Sequence, residues 1–310
     1  MTGKPPRFSV VIPTYNRAEL LIKTLKSVLE QTYTDFEVIV VDNCSIDNTS
    51  DVIQPYLASG KVQYIRHDKN YERAVSRNTG MENARGEFLT FLDSDDIAKP
   101  NNLELADAFI RANPKYKIFH NLYELVDDSG NLVYRNKFPS LKRVYWHIIQ
   151  GNFLSCIGVF ISREIYQTYK FDTNPEIIGS EDWDFWLRVL ADNELGRIDS
   201  VTSLILQHEN RTVRSIPVED VVRRKKIIID KVAKNKHLNR VYGKYLPRMK
   251  ASAYLYAGVM ANSFNDYKSA LRMLNRSLKR DWTILFNIHY WRALQIAFSR
   301  LLKSNLKSSG

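Results

Sequence analysis

Through the first hundred residues, short unbroken apolar runs alternate with apolar positions at helical spacing. "FSVVIP" (8–13) is continuous and β-branched, which predicts a buried strand. "RAELLIKTLKSVLEQ" (17–31) sets Leu21, Leu25, Val28 and Leu29 on one side, which predicts a helix. The alternation repeats with strands at 36–42, 61–67 and 87–93. A short helix over 45–57 and a second one from Tyr71, closed by Gly86, separate them. Continuous apolar strands joined by helices imply a parallel sheet covered on both faces. Beyond this point the pattern predicts a helix over 100–113. A hairpin over 117–136 turns at "DDSG", and a strand follows at 156–162. An amphipathic helix over 179–193 starts behind Ser180, and a last strand begins near 197. From about residue 216 the pattern is helical, basic and rich in Tyr and Trp. Within it, Ala257-Gly258, Ala270 and Leu274 have the offsets of one tetratricopeptide hairpin, although an ordinary helix pair is the weightier expectation.

Composition narrows the class. A chain of 310 residues, 44% hydrophobic with 12 Gly and 10 Pro, is an ordinary globular sequence with material for about two domains. Cys44 and Cys156 stand far apart, so neither a disulfide framework nor a zinc pattern is present, and a reducing compartment is expected. The first residues lack the long apolar core of a secretory leader. No run reaches the roughly 18 apolar residues of a membrane span. A cytoplasmic location follows as the expectation, with peripheral attachment to the cytoplasmic membrane face as an option. Charge is uneven. Residues 219–310 hold 20 of the 45 Lys+Arg and 5 of the 34 Asp+Glu, a net of +15, which leaves −4 for residues 1–218. A basic tail on an acidic body calls for an anionic partner.

In a parallel sheet, ligands bind beyond the carboxyl ends of the strands. Three polar segments leave those ends here: "PTYNR", "DNCSIDNT" and "DSDD". The last places Asp93, Asp95 and Asp96 together. Like charges this close raise one another's pKa, so the cluster needs solvent or a positive group upon it. Asp-x-Asp at a strand end suits Mg²⁺, which uses one or two carboxylates plus substrate phosphates. A plainer reading is a solvated turn leading into a helix, with Asp96 as the helix cap.

"FSVVIPTYNRAELLIKTLKSVLEQTYTDFEVIVVDNCSIDNT", followed by "SRNTGMENARGEFLTFLDSDD", strongly resembles the family 2 glycosyltransferases, inverting enzymes with the fold called GT-A. The resemblance covers about residues 7–210. It implies an α/β fold with a mainly parallel, Rossmann-like sheet flanked by helices, and leaves a C-terminal helical extension. It divides the chain into a nucleotide-sugar-binding half (1–115), an acceptor-binding half (116–215) and a basic helical extension (216–310). It further implies a UDP- or dTDP-sugar donor and a Mn²⁺ or Mg²⁺ cofactor. By the same resemblance Pro13, Thr14 and Tyr15 line the base pocket. Asp42 and Asn43 fall where many members carry two Asp that read the base. Arg77 resembles the diphosphate contact, with Arg73 one turn earlier as a weaker candidate. Asp93 and Ser94 fall near the ribose, and Asp95 resembles the metal ligand. Where the family often has Asn-x-Gly before this helix, the sequence has "NYE".

An inverting transfer needs a carboxylate to take the acceptor's proton. The family's Glu-Asp pair corresponds to Glu181-Asp182 in "GSEDWDFWLR", with Asp182 as base and Glu181 beside it; acids in a first helical turn also simply favour the macrodipole. Trp183 and Trp186 are either a sugar platform or core. His208 resembles a late metal ligand, and Arg211 and Arg214 follow it. The expected function is transfer of one sugar to a saccharide or lipid-linked acceptor, in cell-surface polysaccharide or glycolipid assembly. Residues 216–310 are the expected site of membrane contact, with a packing or homodimer role as the alternative. A non-catalytic nucleotide-sugar-binding protein or a nucleic-acid binder is the competing class. The tail carries no nucleic-acid motif, so no nucleic-acid partner is expected.

Overall fold

The structure is a computed structural model that describes residues 4–127, 129–137, 139–207 and 217–307. The chain forms two compact units. The first comprises Met1–Val144, Leu154–Thr173 and Asp184–Arg211; the second comprises Tyr145–Phe153, Asn174–Trp183 and Thr212–Gly310.

The chain begins β1 (Phe8–Thr14), α1 (Ala18–Leu29), β2 (Phe36–Asp42), α2 (Thr49–Leu57), β3 (Val62–Arg66), α3 (Glu72–Asn83) and β4 (Phe88–Phe91). These four strands run parallel in the order β3-β2-β1-β4. All seven positions of β2 are buried, as expected for a strand covered on both faces. Leu21, Leu25 and Val28 of α1 share one core with Phe8, Val10 and Ile12 of β1. On the other side α3 lies close to β1, and a β-carbon at Gly80 would overlap the Val11 side chain. That close approach seats the helix carrying Arg77.

The rest of the sheet mixes directions. It uses β5 (Asp96–Ala98), β6 (Ile118–Val126), β7 (Leu132–Arg135), β8 (Val159–Ser162) and β9 (Leu195–Leu206), with α4 (Asn102–Ala112), α5 (Val144–Ile148), α6 (Arg163–Thr168) and α7 (Glu181–Asp192) between them. The order continues β4-β8-β6-β9-β5, with β7 on β6. Strand β8 is antiparallel to β4 and β6, β9 is parallel to β6, and β5 is antiparallel to β9. One expectation is corrected here, and one open alternative is decided. Asp96 does not cap the next helix: its N–H closes a turn onto the Asp93 carbonyl at 3.0 Å and it opens β5, while Asn101 precedes α4. Trp183 and Trp186 are core residues, 2% and 0% exposed, and neither offers a face to a sugar.

The second unit is built mainly from α8 (Val218–Lys234), α9 (Lys236–Tyr242), α10 (Leu246–Ser263), α11 (Tyr267–Arg280) and α12 (Ile288–Lys307). Small residues let α10 and α11 approach closely. A β-carbon at Gly258 would sit 3.3 Å from Leu274 and 3.4 Å from the Ala270 carbonyl oxygen. Ala257, Ala261, Ala270, Met273 and Ala297 form one core there. No helix among the described residues is long and apolar enough to cross a membrane.

Candidate active site

In the first unit the carboxyl ends of β1, β2 and β4 carry the three polar segments. The first two of them are strained, with Asn16 and Cys44 at φ values of 50° and 67°, and nearby Glu72, at the start of α3, holds 74°. Non-glycine residues avoid this region, and such strain collects at functional sites. Glu72 thus occupies the conformation that glycine adopts freely, at the position where the family's Asn-x-Gly has its glycine. Glu72→Gly should therefore raise stability by about 1 kcal/mol, read as a higher thermal midpoint.

The segments are tied to one another. Asn16 donates its N–H to Ser45 Oγ at 2.9 Å, and its Oδ1 accepts the Ile46 N–H at 2.8 Å. Asp42 is fully buried; Oδ1 accepts the Ser45 N–H at 2.8 Å and Oδ2 accepts the Tyr64 hydroxyl at 2.5 Å. Burial and this bond push the Tyr64 pKa up. Asn43 donates to Asn70 Oδ1 at 2.7 Å and accepts the Tyr71 N–H at 2.9 Å. His67 sits 3.1 Å from Asn43 Oδ1 and 3.0 Å from Thr79 Oγ1. Asp42 and Asn43 thus hold the loops in shape. Pro13 is half-buried, Thr14 buried and Tyr15 42% exposed. The Thr14 hydroxyl has no hydrogen-bond partner among the described residues.

The acidic segment finds its positive groups in arginines. Arg77, buried on α3, donates Nη2 to Asp93 Oδ1 at 3.0 Å and lies over Phe171 at 5.5 Å. Burial works to raise the Asp93 pKa; the Arg77, Arg73 and Arg17 guanidiniums overcome it and hold the carboxyl below its usual range. Arg17 Nη1 lies 2.7 Å from Asp95 Oδ2. Ser94 is buried between the two acids. Arg17 belongs to the quoted "PTYNR", but a fold is needed to set it on Asp95.

One carboxylate oxygen from each of Asp93, Asp95 and Asp96 lies within 4.8 Å of the others. Opposite oxygens on one octahedral Mg²⁺ are about 4 Å apart, so small side-chain movements make this donor set fit. Arg17, 26% exposed, would turn outward to free Asp95. His208, Arg211 and Arg214 lie outside the described residues.

In the second unit, α7 opens with Glu181 and Asp182. Glu181 is buried and its Oε2 accepts the Gly179 N–H at 2.6 Å. Asp182 is half-buried; Asn152 donates Nδ2 to its Oδ2 at 2.7 Å, and Trp183 donates its N–H to Oδ1 at 2.8 Å. The Trp183 indole is pinned by a 2.7 Å bond from Nε1 to the Ile148 carbonyl. Lys225 of α8 is buried over the Trp183 and Tyr256 rings, at 4.5 and 4.8 Å. Burial pushes its pKa down to about 8, opposed by Asp182. Asn152 and Lys225 were not legible from the sequence, since each lies far along the chain from Asp182 and neither has a local motif.

The lowered Lys225 pKa has a sign. Between about 8 and the ordinary 10.5 the unfolded chain binds more protons than the folded one, so stability rises with pH there. Below pH 8 the cost of burying the charge is complete. Lys225→Met should stabilise the protein at pH 7 by about 2–3 kcal/mol and remove that rise, as denaturant titrations at pH 7 and pH 10 would record.

The glycosyl transferase family 2 profile matches residues 9–169. The chain belongs to that family. An uncharacterized glycosyltransferase of Rickettsia bellii is 32% identical over 208 residues, covering 66% of this chain and 30% of that relative. The family 2 chain therefore spans less than a third of that relative's length. The UDP-Glc:alpha-D-GlcNAc-diphosphoundecaprenol beta-1,3-glucosyltransferase WfgD of Escherichia coli is 28% identical over 192 residues, 62% of this chain and 72% of that one. Among solved structures, S. aureus TarS 1–349 in complex with UDP-GlcNAc matches with a TM-score of 0.66 at 20% identity, over 98% of this chain and 92% of that one. The α/β fold with its helical C-terminal extension is thus of the GT-A type seen in TarS.

Proposed function

We propose that this chain is an inverting glycosyltransferase that moves one sugar from a UDP- or dTDP-sugar to a saccharide or lipid-linked saccharide acceptor, in cell-surface polysaccharide or glycolipid assembly. The observation that carries it is the arginine-bound acidic segment at the carboxyl edge of a GT-A sheet, with a buried Arg77 on a seated helix. Pro13, Thr14 and Tyr15 line the base pocket, and Asp42 and Asn43 fix its walls. Arg77 holds the diphosphate; Asp93 and Ser94 lie at the ribose. The first third of the chain (1–115) binds donor, 116–215 binds acceptor, and 216–310 is the basic extension. Asp95, with Asp93 and Asp96 beside it, would hold Mg²⁺ or Mn²⁺, which when bound supplies positive charge to a departing diphosphate.

Chemistry then falls to the chain's own groups. The acceptor hydroxyl oxygen attacks the anomeric carbon while Asp182 takes its proton. The bond to the diphosphate breaks, and the electron pair leaves with the phosphate oxygen, held by the Arg77 guanidinium. Asn152 fixes the Asp182 carboxylate, and Glu181 steadies the turn before it. One displacement inverts the anomeric centre. The named substrate of WfgD, a diphosphoundecaprenol-linked sugar, supports a lipid-linked acceptor here. Incubation with UDP- and dTDP-sugars and lipid-linked acceptors, followed by NMR of the product, tests this: an inverted anomeric centre is expected, and retention overturns the mechanism.

A lipid-linked acceptor suits a peripheral membrane protein. On α12, Ile288, Trp291, Phe298 and Leu302 recur at helical spacing and are each at least 51% exposed, while Tyr290, Ala293 and Ala297 of the same helix are buried. Trp282 and Phe286 precede them, 65% and 80% exposed. An exposed aromatic stripe on a basic helix fits a membrane interface. Trp291→Glu with Phe298→Glu should cut cosedimentation with anionic vesicles by about tenfold or more and leave donor binding unchanged.

A further inference from the structure

The second unit contains a cleft of about 770 Å³, within the range of small-molecule sites. Arg248 lines it and is 95% buried by its 5% exposure. Nη1 reaches Thr283 Oγ1 at 3.1 Å and Nη2 reaches Gln150 Oε1 at 3.0 Å, both neutral acceptors. Nε has no hydrogen-bond partner among the described residues. The nearest carboxylate oxygen, Asp281 Oδ2, stands 3.8 Å from Nη1. The other Asp281 oxygen is spent on its own turn, accepting the Thr283 N–H at 2.9 Å and the Thr283 hydroxyl at 2.7 Å. A buried guanidinium with this partner set is undercompensated.

Its surroundings add to the positive field. Lys244 lines the same cleft, exposed, with Nζ 4.9 Å from the Tyr245 ring centroid. The first turns of two long helices, α10 of 18 residues and α12 of 20, also line it, through Pro247 and Ile288. Helix N-termini favour anions. The walls are aromatic: Trp146 packs edge-on to Tyr245 at 6.2 Å, and Arg248 lies over Trp146 at 5.1 Å. Asn287 and Gln150 also line it, but their amides are engaged within the protein: Asn287 Oδ1 accepts the His289 N–H at 2.9 Å and Gln150 Nε2 donates to the Trp146 carbonyl at 2.8 Å. One carboxylate faces two cations and two helix starts.

We propose that this cleft binds a phosphorylated saccharide, with the phosphoryl oxygens on Arg248 and Lys244 and the sugar ring against Trp146 and Tyr245. Guanidinium and ammonium groups supply charge-assisted bonds to the phosphoryl group, and the aromatic walls match the apolar face of a sugar. The proposal extends the acceptor reading above, because a phosphate-bearing acceptor presents this chemistry. Two sources share it: a soluble sugar phosphate and a lipid headgroup in which a phosphodiester joins a polyol.

The test is calorimetry on the full chain with UDP present in excess to occupy the donor site. Glucose 1-phosphate, methyl glucoside and inorganic phosphate are titrated in turn, and phosphatidylglycerol vesicles are assayed by cosedimentation. Glucose 1-phosphate should bind at least about tenfold more tightly than either fragment. Arg248→Gln and Lys244→Glu should each weaken it by about tenfold or more. Lys244 is exposed, so its variant remains informative if Arg248→Gln fails to fold. Binding to phosphatidylglycerol vesicles with no glucose 1-phosphate bound is what the exposed α12 stripe alone would give, and it overturns the saccharide proposal. No binding of either probe, or binding that ignores both substitutions, overturns the proposal. UDP titrated separately onto the same variants reports on the donor reading: unchanged UDP binding with no sugar phosphate bound defeats this inference alone.

Discussion

Replacing Asp182 by asparagine should lower sugar transfer by about 10²–10⁴-fold, the usual contribution of a positioned general base, while UDP binding changes by less than about twofold. The shape of the site survives the change. The new amide oxygen still accepts the Trp183 N–H, as Oδ1 does at 2.8 Å. The Asn152 amide, now 2.7 Å from Oδ2 as a donor, turns over to accept instead. What is lost is a carboxylate able to receive the acceptor's proton. Lys225 also loses the negative neighbour that opposes its burial, so its pKa falls further. Steady-state transfer assays beside UDP titration separate the two effects. Wild-type transfer by Asp182→Asn would remove this residue from the role of base.

The second large effect belongs to Asp95. Asp95→Ala should weaken metal-dependent donor binding by about 100-fold or more, near 2.7 kcal/mol. In the described state Asp95 holds Arg17 at 2.7 Å, so its carboxylate either pairs with that arginine or faces a metal. Removing it costs little stability, because Arg17 is partly exposed and turns to solvent; less than about 1 kcal/mol is expected. A fall in affinity with Mn²⁺, together with no further fall on adding EDTA, is the expected pattern in titration. Equal Mn²⁺ dependence in wild type and variant would move the metal away from Asp95.

Much of this fold can be read from periodicity. Strands β1 and β2 are short, apolar and β-branched, and the helices after them carry one apolar stripe, so local pattern and tertiary role agree. Strand β5 escaped because three residues carry no period, and its partner, β9, lies a hundred residues away. Asp96 looked like a helix cap for the same reason. Trp183 and Trp186 show the limit at single residues: aromatics near an acidic pair suit either a sugar or a core, and only burial decides. The acidic segment and the Glu181-Asp182 pair stand out because carboxylates directly follow a strand or open a helix. Their partners do not. Arg17 reaches Asp95 across about 80 residues of chain, and Asn152 and Lys225 reach Asp182 from elements with no motif of their own. The left-handed residues near the site, Asn16, Cys44 and Glu72, are likewise set by tertiary structure.

The central claim is that the segment from Asp93 to Asp96 forms the diphosphate and metal site of a nucleotide-sugar donor. Calorimetric titration of UDP and of dTDP, each with Mn²⁺ and with EDTA, tests it most directly. Binding of one of them with Mn²⁺, lost in EDTA and lost again in Asp95→Ala, is the predicted result. Failure of both nucleotides to bind under either condition would contradict it.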